Sequence, residues 1–294
     1  MDFLTNLING ISLGSIYAII ALGYTMVYGI AKMLNFAHGD VIMVGGYICF
    51  MTLNALGLNP LIGILAAVVG CTLLGICIER IAYKPLRQSP SLTVLITAIG
   101  VSYLLQNLAL LIWGANPKVF PSVVGGSGPI MLFDGQLVIS METIVTIVVC
   151  AVIMVALVLF TSKTKMGKAM RACSEDPGAA RLMGINVDTT ISTTFAIGSG
   201  LAAIAGVLMM SAYPSLVPTT GSMPGIKAFT AAVFGGIGSI PGAVLGGVLL
   251  GIIEVFAKAY IGTQFADAIV FAVLIVVLLI KPSGLLGKYV PEKV

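Results

Sequence analysis

Long apolar runs, separated by short polar joints, recur along almost the whole chain. A bilayer has a hydrocarbon core about 30 Å thick, which a helix of about 20 apolar residues can cross. One short run could be a buried core helix, but many in series are typical of membrane crossings. We therefore predict an all-α, polytopic membrane protein, with one transmembrane domain over residues 1–294. The predicted segments are 7–31, 40–57, 60–78, 91–113, 141–161, 189–213, 265–280 and a glycine-broken run at 227–257.

Composition supports the membrane assignment. Hydrophobic residues make up 59% of the chain and charged residues 9%, whereas an ordinary soluble domain is about 25% charged. Glycine and proline are spread through the apolar runs, as in membrane helices whose backbones approach closely. These numbers exclude a soluble globular domain and a disordered chain.

Basic residues are concentrated in three of the polar segments. Because cytoplasmic loops retain Lys and Arg, we expect the loops 79–90 and 162–188 and the carboxyl-terminal tail to be cytoplasmic. The segments 114–140 and 214–226 carry little charge and are expected to face the periplasm. The basic residues are Arg80, Lys84 and Arg87, then Lys163, Lys165, Lys168, Arg171 and Arg181, and in the tail Lys281, Lys288 and Lys293.

The run 227–257 conflicts with this charge rule. If it crosses the membrane once, the lysine-bearing tail lies outside. If 228–238 and 241–257 are instead half-helices that enter and leave on one face, the tail returns to the cytoplasm. About eleven residues at 1.5 Å each span about 16 Å, half of the hydrocarbon core. A re-entrant pair and a single glycine-rich helix both remain open at this point.

Few side chains could carry chemistry. The chain has one histidine, no His, Cys, Asp or Glu cluster with metal-ligand spacing, and no phosphate-binding loop of the G-x-x-x-x-G-K-[ST] type. We therefore expect no enzymatic activity, no metal and no cofactor. Any dependence on ATP must come from a partner.

Two interruptions of the apolar runs are candidates for a translocation path. Polar groups inside a bilayer are costly and mark substrate routes, and backbone breaks at depth occur where protein or a water-filled cavity satisfies them. For the first interruption, a plain cytoplasmic turn is the alternative. The candidate residues are Asn35, His38 and Asp40 in the first and Gly235, Gly236 and Gly238 in the second.

Four other charges lie late in the chain. Glu254 and Lys258 are four residues apart and can pair on one helix face, or Lys258 can extend to the interface. Lys227 and Asp267 lie near the ends of apolar segments. Proton-coupled transport normally uses ionisable residues in the middle of helices, so these marginal positions disfavour it.

A short helix is predicted inside the basic loop 165–187. Ser174 or Asp176 can cap it, Pro177 suits its first turn and Gly184 ends it. Such a helix is either an interfacial stabilising element or a docking surface for a partner. The residues of the candidate docking surface are Glu175, Asp176, Ala179, Ala180, Arg181, Leu182 and Gly184.

At this loop the chain resembles a known family. The segment 175–186, together with 34–40, 79–87 and 228–243, is similar in sequence and order to the branched-chain amino acid permeases of bacterial ABC importers, specifically their H-type subunits. The first of these segments resembles the family's coupling helix. Urea and short-amide permeases are similar in the same regions, so the resemblance is weaker on the substrate.

The resemblance implies a division of labour. A permease of this kind pairs with a second, related permease chain in the bacterial inner membrane. Two cytoplasmic ATPases dock on the coupling helices, and a periplasmic binding protein delivers leucine, isoleucine or valine; no nucleic acid takes part. A secondary transporter, which would work without nucleotide, and a passive channel are the alternatives from other functional classes.

Overall fold

The chain was analysed in a computed structural model that describes residues 2–124, 128–132 and 137–287. Most of the described chain is helical. The helix α3 continues through a π turn at Glu79–Tyr83 and a 3-10 turn at Lys84–Leu86. The α-helices are α1 (Asp2–Ala31), α2 (His38–Asn54), α3 (Pro60–Ile78), α4 (Ser91–Trp113), α5 (Met141–Lys163), α6 (Lys165–Glu175), α7 (Pro177–Leu182), α8 (Val187–Ala212), α9 (Ser222–Gly235), α10 (Ile240–Tyr260) and α11 (Thr263–Ile280).

Seven of the described helices are long and apolar enough to cross a membrane. They are α1, α3 with its continuation, α4, α5, α8, α10 and α11. The helices α2 and α9, with 17 and 14 residues, are shorter. The prediction of a polytopic helical membrane protein is confirmed, and the predicted apolar runs lie largely in helices, with the run 227–257 divided between two.

The helices α1 and α8 form the centre of the bundle, whereas α4 and α11 are largely exposed on its outside. α1 and α10 pack antiparallel along their length. A Cβ atom on Gly10 would lie 2.8 Å from the Ile252 Cα, and one on Gly14 would lie 2.6 Å from the Val248 Cα. Small residues at a helix interface let the two backbones touch, which explains why glycines interrupt these apolar runs.

A non-helical turn separates α9 from α10, inside the glycine-broken run that was predicted at 227–257. Gly236 has a φ of +109° and Gly238 a φ of +92°, backbone conformations that glycine adopts without steric cost. The helix lengths differ from the prediction. The 21 residues of α10 extend about 31 Å, enough to cross the core, so α10 is a full-length helix and not a half-helix over 241–257.

The segment that follows α11 covers this break. The Leu285 and Leu286 N–H groups donate hydrogen bonds to the carbonyls of Phe234 and Gly235, at 2.9 and 2.8 Å. These are orphan acceptors at the end of α9. The predicted position of the tail depends on this segment, but Lys288 and Lys293 themselves lie outside the described residues.

The described parts of the three basic segments lie at one end of the bundle. The Tyr83 hydroxyl donates to the Asn35 Oδ1 at 2.9 Å, which joins the end of α3 to the chain after α1. Arg87 pairs with Asp188 at the start of α8. The α9–α10 turn, on which the chain after α11 packs, is adjacent to the end of α1, because a Cβ atom on Gly29 would lie 3.3 Å from the Gly238 Cα.

The two charge-poor segments meet at the opposite end. The strand β1 (Lys118–Val119) pairs antiparallel with β4 (Ser215–Leu216), which follows α8. In the chain between β1 and β4, the strands β2 (Ile130–Leu132) and β3 (Leu137–Ile139) form a second antiparallel pair. Residues 125–127 and 133–136 of the predicted periplasmic loop 114–140 lie outside the described residues.

A buried ionic network joins α1, α9, α10 and α11. The Lys227 Nζ lies 2.8 Å from the Glu254 Oε1 and 2.6 Å from the Asp267 Oδ1, and the Tyr17 hydroxyl donates to the Glu254 Oε2 at 2.8 Å. The predicted Glu254–Lys258 pair forms at 2.6 Å. Lys227 and Glu254 lie near the ends of apolar runs in the sequence, but both side chains are buried in the bundle.

Removing the Glu254 charge should destabilise the bundle. Glu254→Gln leaves Lys227 buried with only Asp267 as its counter-charge, and breaking a buried pair from one side costs about 3–5 kcal/mol. The partly exposed Lys258 provides the control, because Lys258→Gln removes a surface i,i+4 pair of at most about 1 kcal/mol. Thermal melting of the purified protein in detergent measures both. Equal shifts for the two variants would contradict a network dominated by the buried pair.

Candidate functional site

The predicted docking helix is present as α7. The Asp176 Oδ1 accepts hydrogen bonds from the Gly178 and Ala179 N–H groups at 2.7 and 3.0 Å, and Pro177 occupies the first turn. Gly184, with a φ of +79°, follows the helix end. Asp176, Pro177 and Gly184 therefore occupy the helix-end positions that were predicted for them from the sequence.

Two large apolar side chains are exposed at the end of α7. Ala180 is buried and anchors the helix, whereas the side chains of Leu182 and Met183 are 91% and 82% exposed. The other candidate docking residues, Glu175, Asp176, Ala179, Arg181 and Gly184, are also exposed. Large apolar side chains presented together outside the membrane-length helices are typical of a protein interaction site.

A helix that the sequence did not predict, α6, supports α7. Thr164 caps α6 by accepting a hydrogen bond from the Gly167 N–H at 2.9 Å. Its buried face contains Gly167, Met170 and Cys173 and packs against α5, α8 and α1. Because α6 joins the bundle directly to α7, a force on α7 reaches the central helices through a packed element.

Asn35, His38 and Asp40 are all buried in the bundle. The His38 ring packs edge-on against Tyr24, with 4.6 Å between ring centroids, and a side chain on Gly23 would collide with it. Asn35 accepts the hydrogen bond from Tyr83 described above. These three side chains are therefore packed inside the bundle, and their place on a translocation path stays a prediction.

The start of α2 meets the start of α9. A Cβ atom on Gly225 would lie 2.8 Å from the Gly39 Cα, so the two backbones touch. Neither helix has a side-chain hydrogen bond capping its amino end. The Gln106 Nε2 donates to the Asp40 Oδ1 at 2.9 Å and to the Ser222 Oγ at 3.2 Å, which links α4 to both helix starts.

A cavity of about 520 Å³ adjoins this link. One wall comes from α4 and the other from the segment between β4 and α9. The lining mixes amide and hydroxyl groups with apolar side chains: Tyr103, Gln106, Asn107, Leu110, Ala115, Val217, Pro218 and Thr219. The sequence reasoning missed Gln106, although an amide inside an apolar run, four residues after Ser102, was a signal for a polar helix face.

The glycines of the second interruption lie elsewhere. Gly235 and Gly236 are buried and Gly238 is exposed. A Cβ atom on Gly236 would lie 2.6 Å from the Gly287 Cα, so this turn is packed against the chain after α11. The structure does not bring these glycines to the lining of the Gln106 cavity.

Comparison with known sequences covers nearly the whole chain. The high-affinity branched-chain amino acid transport system permease protein LivH of Escherichia coli K12 is 46% identical, over 99% of this chain and 98% of its own length. The protein BraD of Pseudomonas aeruginosa, with the same description, is 45% identical over the same shares. A probable branched-chain amino acid permease of Methanocaldococcus jannaschii is 29% identical over 93% of this chain and 89% of its own.

Residues 6–278 also match the profile of a family described as the permease component of the branched-chain amino acid transport system. This match includes every membrane-length helix of the described structure almost in full. The resemblance seen in the four sequence motifs is thus confirmed along the chain. The chain belongs to the family of branched-chain amino acid transport system permease components.

Proposed function

We propose that this chain is the membrane-spanning subunit of an ATP-driven importer that moves leucine, isoleucine and valine across the bacterial inner membrane. The observation that carries this proposal is the sequence identity of 45–46% with LivH and BraD over 99% of the chain. Both relatives are named for branched-chain amino acids, which favours these substrates over urea and short amides.

The partners follow from the exposed helix α7. Its apolar end, Leu182 with Met183, and the adjacent Arg181 suit insertion into a groove of a cytoplasmic ATPase. The chain has no phosphate-binding loop of its own, so ATP hydrolysis belongs to two separate ATPase subunits. A second, related permease chain would complete the membrane core, and a periplasmic binding protein would deliver the amino acid.

The end of the bundle that carries the basic segments is the cytoplasmic end in this proposal. Lys and Arg are retained in cytoplasmic loops, and the contacts of Asn35, Arg87 and Gly238 place the basic segments together. The paired strands β1 and β4 then face the periplasm, on the side where the binding protein would dock.

Coupling in this scheme is a rigid-body movement. Closure of the ATPases pushes on α7, and α6 transmits the displacement to α1, α5 and α8. Packed helices respond by switching between discrete arrangements and not by gradual deformation. The bundle alternates in this way between inward-open and outward-open states.

The cavity beside Gln106 is the proposed entry to the translocation path. Its amides and hydroxyls suit the charged end of an amino acid, and Leu110, Val217 and Pro218 suit an aliphatic side chain. Asp40 lies one hydrogen bond from this cavity, and the uncapped starts of α2 and α9 add the positive ends of two helix dipoles near it. Asn35 and His38 hold the start of α2 in place.

Transport tests the proposal directly. Proteoliposomes containing the complete importer should take up labelled leucine only with binding protein and internal ATP, and excess isoleucine or valine should compete whereas urea should not. Proteoliposomes with this chain alone should show no uptake, since a bundle without ATPases has no energy source. ATP-independent leucine uptake by the isolated chain would instead indicate a secondary transporter or a channel.

Substitutions that change the charge or polarity of α7 test whether the ATPase docks on this helix. Arg181→Glu and Leu182→Asp alter exposed side chains, so the protein should insert normally while copurification of the ATPase falls at least about tenfold, as for a central interface residue. Lys163→Glu, which reverses an exposed charge at the end of α5, is the matched control and should retain the ATPase. Undiminished copurification with both α7 variants would contradict the docking role.

The polar link at Gln106 is tested by uptake. Gln106→Leu removes the donor to Asp40 and Ser222 and makes the cavity wall apolar, so ATP-driven leucine uptake should fall about tenfold, as expected when buried polar groups lose their partner. ATPase copurification should not change. Thr97→Val alters a hydroxyl on the same helix that donates to the Thr93 carbonyl at 2.9 Å, and should transport normally. If Gln106→Leu took up leucine at the wild-type rate, this cavity would not be part of the translocation path.

A further inference from the structure

A second cavity, of about 710 Å³, lies between the end of α3 and the start of α8. Arg80 and Lys84 line it from the turns that follow α3, and Asn186, Thr189 and Ser192 line it from the start of α8. Farther along the two helices its wall is formed by Ile76 and Ala196. The cavity is therefore polar at the end of the bundle and apolar toward the middle.

One positive charge in this region is unbalanced. The Asp188 carboxylate lies 2.9 Å from the Lys84 Nζ and 2.5 Å from the Arg87 Nη1. Arg87 also pairs with the buried Glu79, which accepts a hydrogen bond from the Ser192 hydroxyl at 2.5 Å. Within the described chain, Arg80 has neither an ion-pair nor a hydrogen-bond partner. Three basic and two acidic side chains leave one excess positive charge.

Arg80 also continues an apolar stripe on the outside of the bundle. Leu65, Val69 and Leu73 are exposed side chains of α3, spaced so that they share one helix face. The same spacing of three or four residues leads to Ile76, Arg80 and Lys84. A face of this kind, apolar along the membrane and basic at its end, contacts acyl chains and headgroups in turn.

We propose that this cavity binds the phosphate-bearing headgroup of an anionic phospholipid. The planar guanidinium of Arg80 matches two phosphate oxygens, while Asn186 and Thr189 offer an amide and a hydroxyl to the glycerol part. The acyl chains lie along Leu73 and Val69. On the orientation proposed above, the lipid belongs to the cytoplasmic leaflet, and basic pockets between helices at that face bind anionic headgroups.

A plain interfacial arginine is the simpler arrangement to distinguish. Long basic side chains extend to the headgroup region whether or not a cavity is present, and such a side chain attracts anionic lipid only weakly. A cavity with one unpaired guanidinium instead gives a site that holds one lipid. The affinity of that site depends on Arg80 far more than on other exposed cations at the same end of the bundle.

Native mass spectrometry of the purified complete importer provides the test. The detergent-exchanged complex is titrated with phosphatidylglycerol, with phosphatidylcholine of the same acyl chains, and with soluble glycerol 3-phosphate. The variants are Arg80→Gln, Arg80→Lys and the control Lys163→Gln, an exposed cation at the end of α5. Because Arg80 has no partner in the described structure, its replacement should leave the melting temperature unchanged.

The proposal requires one phosphatidylglycerol bound in preference to phosphatidylcholine. Arg80→Gln should weaken it at least about tenfold, the loss expected for a charge-assisted bidentate contact, Arg80→Lys should retain part of the affinity, and Lys163→Gln should change it less than about twofold. Equal effects of Arg80→Gln and Lys163→Gln, or no preference between the lipids, would overturn the site. Equally tight binding of glycerol 3-phosphate would overturn the lipid as its occupant.

Discussion

The requirement that every backbone polar group be satisfied inside the membrane governs this structure. Three of the breaks between its helices, at 32–37, 213–221 and 236–239, are each supported by another part of the chain. Tyr83 bonds Asn35 beside the first, β1 pairs with β4 in the second, and Leu285 and Leu286 bond the carbonyls before the third. The breaks are thus held by distant segments. Two of them precede the uncapped starts of α2 and α9, which Gln106 joins through its hydrogen bonds to Asp40 and Ser222.

Glycine makes these arrangements geometrically possible. Along α1 and α10 it removes the side chains that would separate the two backbones, and between Gly39 and Gly225 it lets the starts of α2 and α9 touch. Close packing of this kind replaces the hydrophobic effect, which gives no net attraction between helices in lipid. Charge supplies the second source of cohesion. Lys227 is the only cation on α9, and its contacts with Glu254 and Asp267 tie this short helix to α10 and α11. A buried ion pair adds little net stability but fixes which groups must meet.

Sequence reasoning was most successful where the determinants are local. Apolar runs identified the helices, and Asp176, Pro177 and Gly184 identified α7, because caps act on their own first and last turns. It failed where the determinant is a contact between distant segments. Lys227 and Glu254 are at the edges of apolar runs in the sequence and yet face each other inside the bundle. Gln106 is one of several polar residues in the largely apolar helix α4, and only the fold shows that Asp40 and Ser222 are its partners. The helix α6 is short and basic, so hydropathy does not mark it; its buried face is defined by α5 and α8.

The conflict over the tail shows how the two kinds of information combine. Counting crossings from hydropathy assigns the run 227–257 a single span, because a 14-residue helix lies below the length at which a span is recognised. The break at Gly236 and Gly238 turns the chain back, so that α9 and α10 are antiparallel neighbours and their turn lies beside the end of α1. Counted as a passage of its own, α9 would bring the tail back to the basic end, so a cytoplasmic tail requires no re-entrant half-helix at 241–257. The shortness of α9 hides it from a hydropathy count, and its start lies inside the bundle against α2.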